Sequence, residues 1–324
     1  MINNRTPITI AVATLTACVG YIIARNLTAK TFFEEAVDRN EPDIIKKGRR
    51  IIPTPESITK IYNDIDSKAD VLEKSDHEVV EITSFDGLRL VGHLFDCHEP
   101  KRIVISMHGW RSRWARDFAV SHTYNLASGC IVIYPEQRGQ GNSEGEKIGF
   151  GVTERFDCLE WVRYINERFG GELPIYLAGI SMGATTVLMT AGLDLPETVH
   201  GIIADCGFTS PKKIWSHVSQ YYFHIPYGTY DKQIKKLYRK YFDVSVCSDE
   251  LSTVDIMKNN KIPVLFVHGT DDTFVPIEMT YENYKACSAP KRLFIVPGAE
   301  HGLSYLVDTE GYQRAVREFF DEFD

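Results

Sequence analysis

The sequence predicts an α/β fold, in which a mostly parallel sheet of eight strands has helices on both faces and a helical lid insertion. Short apolar runs rich in valine and isoleucine recur along the chain, and stretches with helical periodicity separate most of them. Such runs are typical of strands buried on both sides of a parallel sheet. Ahead of them, two alternating segments flank a Phe-Asp-Gly turn, which predicts an antiparallel hairpin at a sheet edge.

The elements follow in a regular order from residue 77. The predicted strands are 77–85, 88–96, 102–107, 130–135, 174–179, 201–206, 263–269 and 292–298. The predicted helices are 113–126, 152–168, 182–193, 277–286 and 311–323. Residues 207–260 lie between two strands and carry no strand pattern, so we expect a lid there. The α/β domain is therefore predicted to span residues 77–324, with the lid at about 207–260.

The N-terminus differs from this domain. Residues 8–24 form an apolar run without a charge, at the lower limit of length for a membrane-spanning helix. We predict that residues 1–30 are a membrane anchor or signal segment and that a single N-terminal span holds the protein at the cell membrane. The side of the membrane is undecided, because basic residues flank both ends of the run. A cleaved signal, a lipoprotein site at Cys18 and an amphipathic helix are the alternatives. Residues 31–76 are predicted to be a linker and a cap helix.

Composition excludes several classes of function. Hydrophobic residues make up 44% and charged residues 25% of the chain, the balance of a globular protein rather than a disordered one. The net charge of −8 argues against a nucleic-acid partner, which requires a basic face. The seven cysteines form no CxxC pair and no Cys/His cluster. We therefore predict no metal site and no cofactor.

A candidate nucleophile follows the strand at 174–179. There the chain reads Gly-Ile-Ser-Met-Gly, with Ser181 at the centre and a helical pattern directly after it. A Gly-x-Ser-x-Gly sequence between a strand and a helix indicates a tight turn that exposes the serine hydroxyl. The chemistry of parallel sheets lies at the carboxyl ends of their strands, so this position suits a nucleophile.

The serine requires a base, and the base requires an orienting acid. Asp272 follows the strand at 263–269, and His301 follows the next strand. The chain order serine, aspartate, histidine thus places candidates for all three roles after strands. Asp205, which ends the strand before the lid, remains an alternative acid.

These motifs resemble the α/β-hydrolase superfamily, in the branch of serine esterases, monoglyceride-lipase-like enzymes and S33-type peptidases. With its N-terminal run, the chain also resembles membrane-anchored bacterial α/β-hydrolases. The resemblance covers about residues 77–323 and rests on Met107-His108-Gly109-Trp110, the segment 134–143, Gly179-Ile180-Ser181-Met182-Gly183, His268-Gly269-Thr270-Asp271-Asp272 with Val275-Pro276, and Glu300-His301-Gly302.

The resemblance implies further roles. In the family the acid precedes x-x-Val-Pro, which favours Asp272 over Asp271. The oxyanion hole would consist of the backbone N–H groups of Trp110 and Met182. His108 is then expected to be a buried histidine bonded to nearby backbone, not the base.

The implied activity is that of a carboxylesterase or lipase-like serine hydrolase that cleaves an ester through an acyl-enzyme. The partner would be a small-molecule or lipid-derived ester, and the lid aromatics Trp215, Tyr222 and Phe223 are candidate substrate contacts. The alternatives are an S33-type peptidase, a thioesterase and a non-catalytic binding protein of the same fold. Within the lid, residues 231–242 place apolar side chains on one helical face and basic ones on the other.

Overall fold

The computed structural model describes residues 24–40, 56–242 and 251–324. Its strands are β1 (Glu78–Thr83), β2 (Arg89–Phe95), β3 (Arg102–Met107), β4 (Cys130–Pro135), β5 (Ile175–Ile180), β6 (Val199–Asp205), β7 (Val264–Gly269) and β8 (Lys291–Val296). The eight predicted strands are confirmed, each end to within two residues. The apolar runs therefore located the sheet correctly.

The strands form one sheet in the order β1-β2-β4-β3-β5-β6-β7-β8. β2 runs antiparallel to its neighbours β1 and β4, and every other pair is parallel. Since β3, β5, β7 and β8 run in the same direction, the loops that follow them meet at one edge of the sheet. This edge holds the candidate site.

Residues 24–37 are helical and are called α1. The other helices are α2 (Glu56–Lys74), α3 (Trp114–Ala127), α4 (Glu154–Arg168), α5 (Met182–Thr190), α6 (Pro211–Tyr221), α7 (Asp231–Tyr241), α8 (Thr253–Met257), α9 (Ile277–Ala286), α10 (Ser304–Val307) and α11 (Thr309–Phe323). The five predicted helices of the domain correspond to α3, α4, α5, α9 and α11. The fold class, an α/β-hydrolase fold with a helical lid, is confirmed.

The core lies on both faces of the sheet, because successive strand side chains point to opposite sides. On β3, Ile103 and Ile105 pack with Trp161 of α4 in one apolar cluster. Val104, between them, packs in a second cluster with Phe118 of α3. Helices α4 and α5 thus cover one face, and α2, α3 and α11 cover the other.

A third apolar cluster joins the lid to α1. Phe33 of α1 is 1% exposed, and its ring centroid lies 6.0 Å from that of Trp215 and 6.3 Å from that of Tyr238. Ile234 and Tyr238 form the buried face of α7, as the helical pattern of residues 231–242 predicted. The apolar face of α7 therefore packs on α1 and α6.

The predicted membrane localisation is wrong. Within residues 24–40, 56–242 and 251–324, no helix combines the length and the apolar character that crossing a bilayer requires. α1 carries Arg25, Lys30 and Glu34 and buries its apolar side against the lid, so its apolar residues face protein. Residues 8–23 of the run behind the prediction lie outside the described residues.

Candidate active site

Ser181 occupies the sharp turn between β5 and α5. Its backbone angles are φ 57° and ψ −118°, a conformation that costs free energy for a residue with a Cβ. The glycines two positions away make this turn possible. A Cβ on Gly183 would overlap the carbonyl oxygen of Met107, and one on Gly179 would overlap the backbone of Gly183. The turn therefore brings Ser181 to the edge of the sheet while β3 and β5 stay close.

Three side chains form a continuous hydrogen-bonded series at this edge. Nε2 of His301 lies 2.9 Å from Oγ of Ser181, and Nδ1 of His301 lies 2.7 Å from Oδ2 of Asp272. The ring of Phe274 packs edge-on against the His301 imidazole at 5.0 Å between centroids. These three positions are the ones that the sequence predicted.

Asp272 is held by groups on both of its oxygens. Oδ1 accepts hydrogen bonds from the backbone N–H groups of Phe274 and Val275, at 2.9 and 2.8 Å. Oδ2 also lies 3.1 Å from Nε2 of His268. Burial alone would raise the pKa of Asp272, but the contacts from His268, His301 and the N–H of Val275 outweigh it, so the net pKa is well below its usual range. Asp272 is therefore ionised at neutral pH.

His268 is a residue that the sequence analysis did not assign. It is fully buried at the end of β7, and its Nε2 faces two acceptors, Asp272 and the carbonyl oxygen of Val275 at 2.9 Å. Nε2 therefore carries a proton, and Nδ1 lies 2.6 Å from the hydroxyl oxygen of Thr280. The only signal in the sequence was its place in the His-Gly-Thr-Asp-Asp motif.

The loop after β3, residues 108–112, is called the β3 loop. Asp117 of α3 orders it, because its carboxylate accepts from the N–H of Gly109 at 2.6 Å and from the hydroxyl of Ser112 at 2.5 Å. A Cβ on Gly109 would lie 3.5 Å from the Cβ of Ser181, so the loop runs directly beside the serine. In the described part of the chain, the backbone N–H of Trp110 donates no hydrogen bond. Met182 is the first residue of α5, where helix geometry leaves the N–H without an intrahelical acceptor.

His108 is buried, as expected. Its Nδ1 lies 2.8 Å from the carbonyl oxygen of Gly109, and its Nε2 accepts from the N–H of Gln137 at 3.1 Å. Burial lowers the pKa of His108, against the opposing effect of the nearby carboxylates Asp117 and Glu136. The ring is therefore neutral and supports the loops around the site.

Asp205, the alternative acid, is buried but makes no hydrogen bond to His301 among the described residues. Its Oδ1 accepts from the hydroxyl of Ser304 at 3.2 Å. Burial raises the pKa of Asp205 to about 6, partly offset by His268, Ser304 and His301. Nδ1 of His301 donates its hydrogen bond to Asp272 instead.

A cavity of about 160 Å³ opens at the serine. Ser181, His301 and Trp110 line it together with Tyr62 and Ile65 of α2. The remainder of its wall includes the apolar side chains Val120, Ile180, Phe274, Leu303 and Leu306. An apolar cavity of about 150 Å³ can hold a benzene ring, so this volume suits a group of about six heavy atoms.

The lid aromatics lie elsewhere. Trp215 is 2% exposed and packs against Phe33, Phe150 and Tyr238 in the third cluster. Tyr222 and Phe223 are 43% and 57% exposed. The Tyr222 hydroxyl lies 3.4 Å from Oγ1 of Thr273, the residue that follows Asp272. None of the three predicted contacts lines the described cavity at Ser181.

Cys206, Asp272 and His301 place potential metal-ligating atoms within 4.8 Å of one another. Asp272 already has two contacts on each oxygen, and burial raises the pKa of the Cys206 thiol well above its ordinary value. A metal would have to displace these hydrogen bonds and a tightly held thiol proton. The ligating atoms of Asp272 and His301 therefore already serve as hydrogen-bond partners in the series that ends at Ser181.

Comparison with known proteins decides the family. Residues 117–323 match the prolyl oligopeptidase family, which is well over half of the chain. The chain belongs to the prolyl oligopeptidase family. It is accordingly a member of the α/β-hydrolase superfamily and a hydrolase, although the S33-type branch of the resemblance is not the one that matches.

Individual proteins are also similar to this chain. The chain is 26% identical over 279 residues to the uncharacterised protein YqkD of Bacillus subtilis, an alignment that covers 83% of this chain and 87% of YqkD. It is 20% identical over 239 residues to the bifunctional esterase/perhydrolase DCH of Acinetobacter calcoaceticus, covering 62% and 85% of the two chains. The structure of the Pyrococcus furiosus esterase Pf2001 matches with a TM-score of 0.61 at 22% identity, over 76% of this chain and 93% of that one. That likeness shows the fold.

Proposed function

We propose that the protein is a serine hydrolase that cleaves small carboxylic esters through an acyl-enzyme. The observation that supports this most strongly is the continuous series from Asp272 through His301 to Ser181, with contacts of 2.7 and 2.9 Å. The names of two similar proteins, both esterases, point in the same direction.

The mechanism follows from the geometry. His301 Nε2 takes the proton of the Ser181 hydroxyl as Oγ attacks the ester carbonyl carbon, and Asp272 stabilises the imidazolium through Nδ1–H. The N–H groups of Trp110 and Met182 donate to the oxyanion of the tetrahedral intermediate. His301 then protonates the departing alcohol, and the acyl group stays on Ser181. Water, deprotonated by His301, releases the acid and restores the serine.

The size of the cavity supports a small substrate. Its volume of about 160 Å³ and the apolar side chains in its wall suit a short acyl chain or a small aromatic group. We expect kcat/KM to be higher for p-nitrophenyl butyrate than for p-nitrophenyl palmitate. The opposite order would contradict this part of the proposal.

A peptidase is the second candidate, because the family that matches is named for one. Peptide recognition through a free amino group requires an available carboxylate. Within residues 211–242 the lid has one acid, Asp231, and it lies 3.8 Å from Lys212. We therefore favour the ester, and assays with aminoacyl p-nitroanilides compare the two directly.

Replacing the serine tests the proposal. We expect Ser181→Ala to lower kcat by about 10⁴- to 10⁶-fold with the fold retained, because the proposed nucleophile is lost. A fluorophosphonate probe should label the wild type and fail to label this variant. The control is Ser67→Ala, which changes an exposed serine on α2 whose hydroxyl donates to the carbonyl oxygen of Asn63. Turnover or labelling of Ser181→Ala at the wild-type level would contradict the assignment, and an unlabelled wild type would favour a binding protein.

A further inference from the structure

We propose that residues 24–40, called the N-terminal segment, position the β3 loop so that the N–H of Trp110 points at the oxyanion. This inference rests on the proposed serine-hydrolase function and adds a positioning element to it. The segment precedes the part of the chain that matches the family, residues 117–323. The family match therefore says nothing about this segment, and its role is inferred from its contacts in this structure.

The first contacts lie at the carboxyl end of α1. The last carbonyl groups of a helix have no intrahelical partner and require donors from elsewhere. The indole N–H of Trp110 donates to the carbonyl oxygen of Ala36 at 2.9 Å. The guanidinium of Arg111 donates to the carbonyl oxygen of Glu35 at 3.0 Å and to that of Asp38 at 2.5 Å. Two consecutive residues of the β3 loop therefore cap the helix.

The other two terminal carbonyls are also satisfied. The carbonyl oxygen of Glu34 accepts from the N–H of Asp38 at 2.9 Å, and that of Val37 accepts from the N–H of Ile148 at 2.7 Å. Arg111 adds a positive charge at the negative end of the helix dipole, which is the favourable arrangement. The helix end and the β3 loop thus depend on each other.

Arg111 is fixed from its other side as well. Its φ of 51° lies in the left-handed region, which a non-glycine residue adopts only when its surroundings hold it there. Its backbone N–H donates to Oε1 of Gln140 at 2.7 Å. The residue next to Trp110 is therefore held through its main chain by Gln140 and through its side chain by the N-terminal segment.

Arg39 extends the attachment to the loop that carries Gln140. Its guanidinium donates to the carbonyl oxygens of Gly141 and Ser143, each at 2.7 Å, and of Gly145 at 3.1 Å. Phe33 of α1 is buried among Trp215, Tyr238 and Tyr241 and packs the helix against the lid. The N-terminal segment therefore connects the lid, the Gln140 loop and the β3 loop.

The consequence concerns the reaction rather than binding. An oxyanion donor acts only if its N–H is aimed at the place where charge develops, and loss of one donor commonly costs 10²- to 10³-fold in kcat. Arg111 does not line the described cavity at Ser181, so its side chain leaves substrate contacts unchanged. Removing the contact between the Arg111 side chain and the end of α1 should therefore lower kcat and leave KM nearly unchanged.

The experiment compares Arg111→Gln with Arg113→Gln in the full chain, using p-nitrophenyl butyrate. Arg113 is a partly exposed arginine two residues away whose guanidinium donates to Glu73. We expect Arg111→Gln to lower kcat by about 10- to 100-fold with KM within about threefold, and Arg113→Gln to match the wild type. Arg111→Lys, which keeps the charge at the helix end, should recover part of the loss.

A second variant keeps the test decisive if Arg111→Gln does not fold. Trp110→Phe retains a ring and removes the N–H that reaches Ala36, and we expect its kcat to fall in the same direction. Melting curves show whether each variant is folded at the assay temperature. Wild-type kcat in the folded variants, or a change confined to KM, would overturn the inference while the proposed function stands. A wild type without ester turnover and without fluorophosphonate labelling would overturn the proposed function itself.

Discussion

At the scale of single residues, two adjacent aspartates have opposite environments. Asp272 is buried and accepts two backbone hydrogen bonds on Oδ1 and two histidine contacts on Oδ2. Asp271 is exposed, and its Oδ1 accepts from the hydroxyl of Thr270 at 2.7 Å. One position in the chain therefore separates a carboxylate that orients His301 from one on the surface.

This contrast gives a prediction with an internal control. Asp272→Asn should lower kcat by roughly 10⁴-fold, because an amide favours the wrong tautomer of His301. Asp271→Asn should leave kcat within a few-fold of the wild type. Steady-state assays with p-nitrophenyl butyrate measure both. If Asp271→Asn were the more damaging change, the assignment of the acid would be incorrect.

At the scale of secondary-structure elements, the site depends on the close approach of β3 to the turn between β5 and α5. Gly183 lies where a Cβ would overlap the carbonyl oxygen of Met107 and approach that of His108 to 2.8 Å. Both atoms belong to the backbone, so neither can move without displacing the end of β3. That strand end leads directly into the β3 loop and Trp110.

We therefore expect Gly183→Ala to destabilise the protein by about 1–3 kcal/mol or more and to lower kcat, because it separates the strand end from the serine turn. Gly228 is the matched control, since no atom lies within 4 Å of the Cβ it would gain and its φ is not in the left-handed region. Gly228→Ala should change neither the melting temperature nor kcat appreciably. Equal melting temperatures for the two variants would show that there is more space between Gly183 and the end of β3 than the structure indicates.

At the scale of the whole molecule, three apolar clusters enclose the sheet and the lid, and Asp205 is among the ionisable groups buried within the described residues. Asp205 is 2% exposed, and burial raises its pKa to about 6. The unfolded chain loses this proton near pH 4, whereas the folded protein keeps it until about pH 6. The folded state thus binds more protons over this range, so this group lowers the stability as the pH rises from 4 to 6.

Asp205→Asn should remove this contribution. We expect the variant to gain stability relative to the wild type between pH 4 and pH 6, by on the order of 3 kcal/mol in total, and to keep the gain above pH 6. Urea unfolding at several pH values measures the difference. Its kcat should stay within a few-fold of the wild type. A loss of kcat as large as that of Asp272→Asn would instead identify Asp205 as the acid.

The sequence by itself determined the strands, most helices and the positions of the three proposed catalytic side chains. Apolar runs of five or six residues indicate strands that are buried in a sheet. The end of such a strand can also be located from the local sequence. Because parallel strands bring their ends to one edge, the local positions of Ser181, Asp272 and His301 were enough to predict that they meet. The amphipathic pattern of residues 231–242 likewise predicted which face of α7 is buried.

Only the tertiary structure decided what those faces and loops contact. The sequence identified the apolar side of α7, but not that Phe33, some 200 residues earlier, packs beside it. Trp215 reads as a lid aromatic and is buried in the same cluster. The capping of α1 by Trp110 and Arg111 has no local pattern at all. Such contacts depend on how distant segments pack together, because the burial that selects them exists only once the chain has folded.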